Sequence, residues 1–127
     1  MRCFLATLLV CNLAWAGEPT EMDREEAKAF LELARKAFEG KQYDKAKQWL
    51  DRAEAKYTLP EIWELQGHIR QREGDKAGAI PLYLKAREVY KGEDKPAFER
   101  VTREIRLISP LLAGYLEKRD RFVLETK

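Results

Sequence analysis

From Ala27 to Val123 the apolar residues recur three or four positions apart, in blocks separated by glycine, proline and short polar breaks, which is the spacing of helices buried along one face. Asp23 and Glu26 have the spacing of a capping box. Ala27, Phe30, Leu31, Ala34, Ala37 and Phe38 then follow at helical intervals as far as Gly40, where a glycine in a left-handed turn ends the first helix. A second helix starts between Gln42 and Asp44 and buries Ala46, Leu50 and Ala53. Pro60 opens a third that carries Trp63, Gly67 and Ile69, and Gly74-Asp75 ends it and caps a fourth with Ala79, Tyr83 and Ala86. Pro81, one turn inside the fourth, removes one backbone hydrogen bond without breaking the helix. Gly92 to Pro96 is the next break, and Phe98, Val101, Ile105 and Ile108 mark a fifth helix. Ser109 as N-cap and Pro110 at the first helical position start a sixth, whose apolar stripe reads Leu111, Leu112, Tyr115, Leu116, Phe122 and Val123. No segment alternates apolar and polar residues as a half-buried strand does, so the chain reads as all-α.

Two stretches repeat at an offset of thirty-three residues. Phe30 falls on Trp63, Ala34 on Gly67, Ala46 on Ala79, Leu50 on Tyr83 and Ala53 on Ala86, so large meets large and small meets small each time. A repeat of this length is one helix pair, which cannot bury its own apolar face and must stack on another. A third pair is therefore required, and residues 95–124 supply it although the pattern there has drifted. Val101 stands where a small residue is expected and Glu117 where an aromatic is expected, while Ala113 keeps its place.

The second copy, Trp63-x-Leu65-x-Gly67 followed by Gly74-Asp75, Ala79, Tyr83 and Ala86, resembles the tetratricopeptide repeat. Leu65 is one position early and Arg70 replaces the usual tyrosine. The first copy is looser, with Phe30 for the tryptophan, Ala34 for the glycine, Leu50 for the second aromatic and a turn displaced by one residue at Gly40. The resemblance implies six helices in antiparallel pairs stacked as a short right-handed α-solenoid. Repeat one would cover about 24–57, repeat two about 60–91, and a degenerate repeat or capping hairpin about 95–124.

Residues 1–16 pose a separate question. Arg2, an apolar run from Cys3 to Leu13 and Ala14-Trp15-Ala16 have the order of a secretory signal peptide, cleaved before Gly17. The run is about half the roughly 20 residues of a membrane span, so a soluble periplasmic or secreted product of residues 17–127 is expected, a single helical domain. Val10 argues against a lipid anchor at Cys11, because a small residue normally occupies that place. Cleavage removes both cysteines, the one asparagine and Arg2, and lowers the net charge from +2 to +1.

The remaining inventory excludes much chemistry. Without cysteine there is no disulfide, thiolate nucleophile or zinc-thiolate site, and His68 is the one histidine in the chain. No metal and no cofactor is expected. Ser109 is explained as an N-cap, and the carboxylate groups Glu25-Glu26, Glu61/Glu64 and Glu93-Asp94 as solvated or helix-starting residues. A non-catalytic protein is the result. Lys, Arg, Asp and Glu are mixed along every helix, which lacks the one-sided basic footprint of a nucleic-acid binder.

In proteins that the chain resembles, the first helix of each pair lines a concave groove that holds a protein or peptide. Carried onto this sequence, the lining is Lys28, Leu31, Arg35 and Phe38 on the first helix, and Glu61, Glu64, His68, Gln71 and Arg72 on the third. Spacings of three or four keep each set on one stripe. Lys28 and Arg35 could instead pair with Glu61 and Glu64 across the stack. The grip on acidic C-termini used by tetratricopeptide co-chaperones needs paired asparagines, which residues 17–127 lack. Trp49 is a possible second contact on the opposite face or a packing residue. The alternative function is a structural subunit that self-associates, or docks on an envelope assembly, through the third pair.

Overall fold

The computed structural model describes residues 17–126, so the stretch expected to be a signal peptide, with Cys11, lies outside the described residues. Among the described residues six helices follow one another: α1 (Glu21–Glu39), α2 (Tyr43–Lys56), α3 (Pro60–Arg72), α4 (Lys76–Tyr90), α5 (Lys95–Ile108) and α6 (Pro110–Glu125). There is no strand among the described residues. α1 packs on α2, α3 on α4, α4 on α5 and α5 on α6, with thinner contacts from α3 to α1 and α2. None of the described helices is long and apolar enough to cross a membrane.

Local chemistry sets each boundary. The N-cap of α1 lies three residues before the expected one, because the capping box is made by Thr20 and Asp23. Thr20 Oγ1 accepts from the Asp23 amide at 3.1 Å, and Asp23 Oδ2 accepts from the Thr20 amide at 2.9 Å. These two bonds satisfy two amides that the helix start would leave bare, and they hold the Asp23 carboxyl below its ordinary pKa. Asp75 caps α4 through the Gly78 amide (2.9 Å), Asp94 caps α5 through Ala97 (3.1 Å), and Ser109 closes α5 and opens α6. α4 runs through Pro81, whose ring faces solvent.

The thirty-three-residue offset extends to backbone hydrogen bonds. After α1 the amides of Lys41 and Gln42 donate to the carbonyls of Phe38 and Ala37; after α3 those of Gly74 and Asp75 donate to Gln71 and Arg70. Each bond of the second turn lies thirty-three residues beyond its counterpart, and both turns have the Schellman form. The first turn is therefore not displaced, and Gly40 is not its left-handed residue. Gly40 has φ −80°, and Lys41 takes the left-handed place at φ 59° where the second turn has Gly74 at φ 89°. A side chain there costs roughly 1 kcal/mol, which the two turn bonds and the packing of α1 on α2 offset.

Two apolar clusters form the core. One joins α1, α2 and α3 through Leu31, Leu50, Leu59, Ile62, Leu65, Ile69 and small residues such as Ala34 and Ala53; the other joins α4, α5 and α6 through Tyr83, Tyr90, Val101, Ile105, Ala113 and Leu116. A side chain such as Leu50, fully buried, contributes about 2 kcal/mol of transfer free energy. Gly67 is where α3 and α4 close on each other, since a Cβ built there would lie 2.6 Å from Tyr83 Cε1. The expected stripe of α6 is corrected: Ala113 and Leu116 are buried, while Leu111, Tyr115, Phe122 and Val123 are exposed. The third pair has too few neighbours to cover both faces of an α6 that is apolar on more than one side.

Candidate functional site

Four of the expected groove residues come together. Arg35 from α1 and Glu61, Glu64 and His68 from α3, joined by Leu65 and by Arg100 from α5, line one hollow of about 430 Å³. The first helix of every pair contributes to it. Arg100 was not foreseen, because the repeat fades before α5 and the sequence offers no more than an opposite charge one first helix beyond Glu64.

Glu64 organises the hollow from below. Only 7% of it is exposed, and its carboxylate takes Arg100 in a fork: Nε donates to Oε2 at 2.7 Å and Nη2 to Oε1 at 2.9 Å. Tyr90 Oη, on α4, donates to Oε1 at 2.8 Å. Burial pushes this carboxyl up, but hydrogen bonding from Arg100 in the first place, and from His68 and Tyr90, outweighs it and holds the pKa down to about 2. Burial in the first place, and the hydrogen bond to the Glu64 anion, push the Tyr90 phenol well above its ordinary value. Glu64 is thus an anion at neutral pH whose lone pairs are largely taken, and it ties α3 to α4 and α5 rather than offering itself to a ligand.

His68 is held from both sides. The Tyr83 hydroxyl donates to Gln71 Oε1, so its contact with His68 Nδ1 (3.0 Å) makes Nδ1 the donor. On the other side of the ring, Nε2 stands 3.7 Å from the Glu64 carboxylate. The His68 ring meets Tyr83 edge-on at 5.5 Å and lies 6.4 Å from Phe38, and the Arg72 guanidinium sits over Phe38 at 6.0 Å.

The other expected residues divide. Leu31 is 4% exposed and belongs to the core, so it offers no surface to a groove. Gln71 is occupied by Tyr83. Lys28 pairs with Glu25 at 3.0 Å and Arg35 with Glu32, each along its own helix, so the cross-stack pairing with Glu61 and Glu64 is not formed. These are exposed pairs worth little. Glu61 is half-buried and makes no ion pair among the described residues. Trp49 is partly buried, stacked on Phe30 at 5.7 Å and covered by Arg52 at 5.0 Å, which is the packing role.

On another side of the molecule α4, α5 and α6 enclose a second hollow of about 630 Å³ around Arg87. Arg87 is 1% exposed; its Nε donates to Thr102 Oγ1 at 2.9 Å, its Nη2 to Asp120 Oδ2 at 2.6 Å, and it lies 4.3 Å over the Phe98 ring. Nothing in the spacing of the sequence singled it out. Comparison with protein-family models, with curated proteins and with solved structures finds no match for the chain.

Proposed function

We propose that this chain is an exported, non-catalytic adaptor of tetratricopeptide-like design, three antiparallel helix pairs forming a short right-handed α-solenoid that holds a protein or peptide across its first helices. The observation that carries the reading is the hollow to which α1, α3 and α5 all contribute, with Arg35 and Glu61 at its rim. Support for the repeat comes from the two turns whose hydrogen bonds coincide at an offset of thirty-three residues. Support for a non-catalytic role comes from Ser109, whose hydroxyl caps α6, and from His68, already engaged by Tyr83. A rim of both signs suits a mixed-charge peptide better than a polyanion.

The test is capture of partners from the compartment that receives the protein, with residues 17–127 as bait. Reversing Arg35→Glu and Glu61→Lys together should abolish specific capture while circular dichroism and Tm stay unchanged. Equal capture by the variant would remove the groove from consideration. Glu64 is unsuitable for this purpose because its loss disturbs the fold. For export, N-terminal sequencing of protein recovered outside the cytoplasm should begin at Gly17; a chain retaining Met1 would overturn that part.

A second reading rests on α6, where Leu111 is 89% exposed and Tyr115, Phe122 and Leu124 are also uncovered. It makes the protein a structural subunit that self-associates or docks on a larger assembly through the third pair. Light scattering on residues 17–127 separates the two, since a monomer at micromolar concentration leaves self-association without support.

A further inference from the structure

The Arg87 hollow is separate from the groove and has its own chemistry. A guanidinium carries five N–H donors, and burying it without partners is costly. Nε and Nη2 are satisfied, but Nη1 is buried with no hydrogen-bond partner. Three groups that hold this guanidinium, Phe98, Thr102 and Asp120, line the hollow beside it. Arg87 itself lines this cavity, whose volume lies in the range of small-ligand pockets.

Charge points the same way. Asp120 is the one carboxylate bonded to Arg87, and it also accepts from Lys91 at 3.0 Å, so one anion serves two cations, while Arg119, 3.6 Å from it, pairs more closely with Glu88 at 2.9 Å. Arg103 and Arg121 line the hollow, are exposed and make no ion pair among the described residues. Of the two other carboxylates in the lining, Glu117 is paired with Arg106, and Glu99 alone is unpaired. Positive charge is thus in excess at the rim and unmatched at the floor.

We propose that the hollow between α4, α5 and α6 binds a small organic oxyanion, a carboxylate or a phosphate ester, with Arg87 at its floor and Arg103 and Arg121 closing on it from the rim. Arginine suits this task because its planar fork matches the oxygen pairs of both groups. The proposal is independent of the adaptor reading, which rests on Arg35 of α1 and Glu61 of α3.

Titration calorimetry with citrate and with glycerol 3-phosphate, at fixed ionic strength in chloride, tests it on the purified protein. Saturable binding of either probe, with a shift of the Arg87 Nε–H resonance, supports the site, and the tighter probe identifies the class. Arg103→Gln with Arg121→Gln should weaken that binding at least tenfold without changing Tm in the absence of probe, while Arg35→Gln should leave it intact. The proposal is overturned by absence of saturable binding for both probes, by equal binding in the double variant, or by a resonance shift confined to Arg35 and Arg100. Because both rim residues are exposed and unpaired, the test does not depend on a variant of Arg87 that fails to fold.

Discussion

The junction between the first and second helix pairs and that between the second and third are built differently. At the first, α3 meets α1 and α2 through an apolar cluster fringed by Phe30, Phe38, Tyr43, Trp49 and Tyr57, and the polar links across it, Lys47–Glu73 and Gln66–Glu54, lie at the surface. At the second, charge is buried on two sides: Glu64 with Tyr90 and Arg100, and Arg87 with Thr102 and Asp120. Arg87 even occupies the place that Glu54 holds one repeat earlier. An apolar junction needs residues of the right size at the right period and tolerates many of them. A charged one needs particular partners, because an unpaired buried ion is far more costly than an imperfect apolar contact. That is a physical reason for the repeat to be regular up to Ala86 and to fade beyond Lys95.

The difference is sharpest at that equivalent position. Arg87→Ala should cost about 3–5 kcal/mol in urea unfolding, since it leaves Asp120 half-matched and strips the Phe98 face, whereas Glu54→Ala should change stability by less than about 0.5 kcal/mol. Similar losses at both would mean that the two junctions do not differ as described. Acid should next act on the second junction in particular. The Glu64 carboxyl sits at about 2 in the folded chain against an ordinary 4.5, so its stabilisation is present above the ordinary value and drains as pH falls toward the folded one. The shift corresponds to roughly 3 kcal/mol. Unfolding measured from about pH 6 to about pH 2 should show that much less acid sensitivity in Glu64→Gln than in the native chain; equal slopes would remove Glu64 as the acid-labile link.

Smaller effects test what the two repeats share. Gly67→Ala forces a methyl into the Tyr83 ring, which is buried and hydrogen-bonded and cannot withdraw, so a loss of about 1–3 kcal/mol is expected from thermal unfolding. Lys41→Gly should stabilise by about 0.5–1 kcal/mol, because glycine takes the left-handed turn that lysine occupies under strain. A loss there would show that the Lys41 side chain contributes more than its backbone costs.

Much of this architecture was legible in order along the chain. Asp75 and Ser109 cap the helices that their positions were expected to start, whereas the first cap was read three residues late at Asp23 instead of Thr20; the repeat of large and small positions indicated which faces of α1 to α4 turn inward. Legibility failed where the outcome depends on neighbours. Lys41 holds a conformation that its type disfavours, because the flanking helices impose it. α6 carries apolar residues around more than half its girth, and its inward face is chosen by where α5 stands. In the candidate groove, Arg35, Glu61 and His68 could be named from their stripe, yet Arg100 could not, and the buried roles of Leu31 and Glu64 were hidden by spacing that put them on the same stripe.

The sequence by itself determined six helices, most of their boundaries and the repeat of two pairs, since caps, turn bonds and helical period act over a few residues and are written in neighbouring letters. The tertiary structure alone decided which charges are buried and which remain free. Tyr90 reaches Glu64 across 26 residues, Asp120 reaches Arg87 across 33 and Arg100 reaches Glu64 across 36. An ionic or hydrogen-bonded pair gains its strength from a short distance in a dry setting, and both are properties of the packed helices rather than of the order of residues.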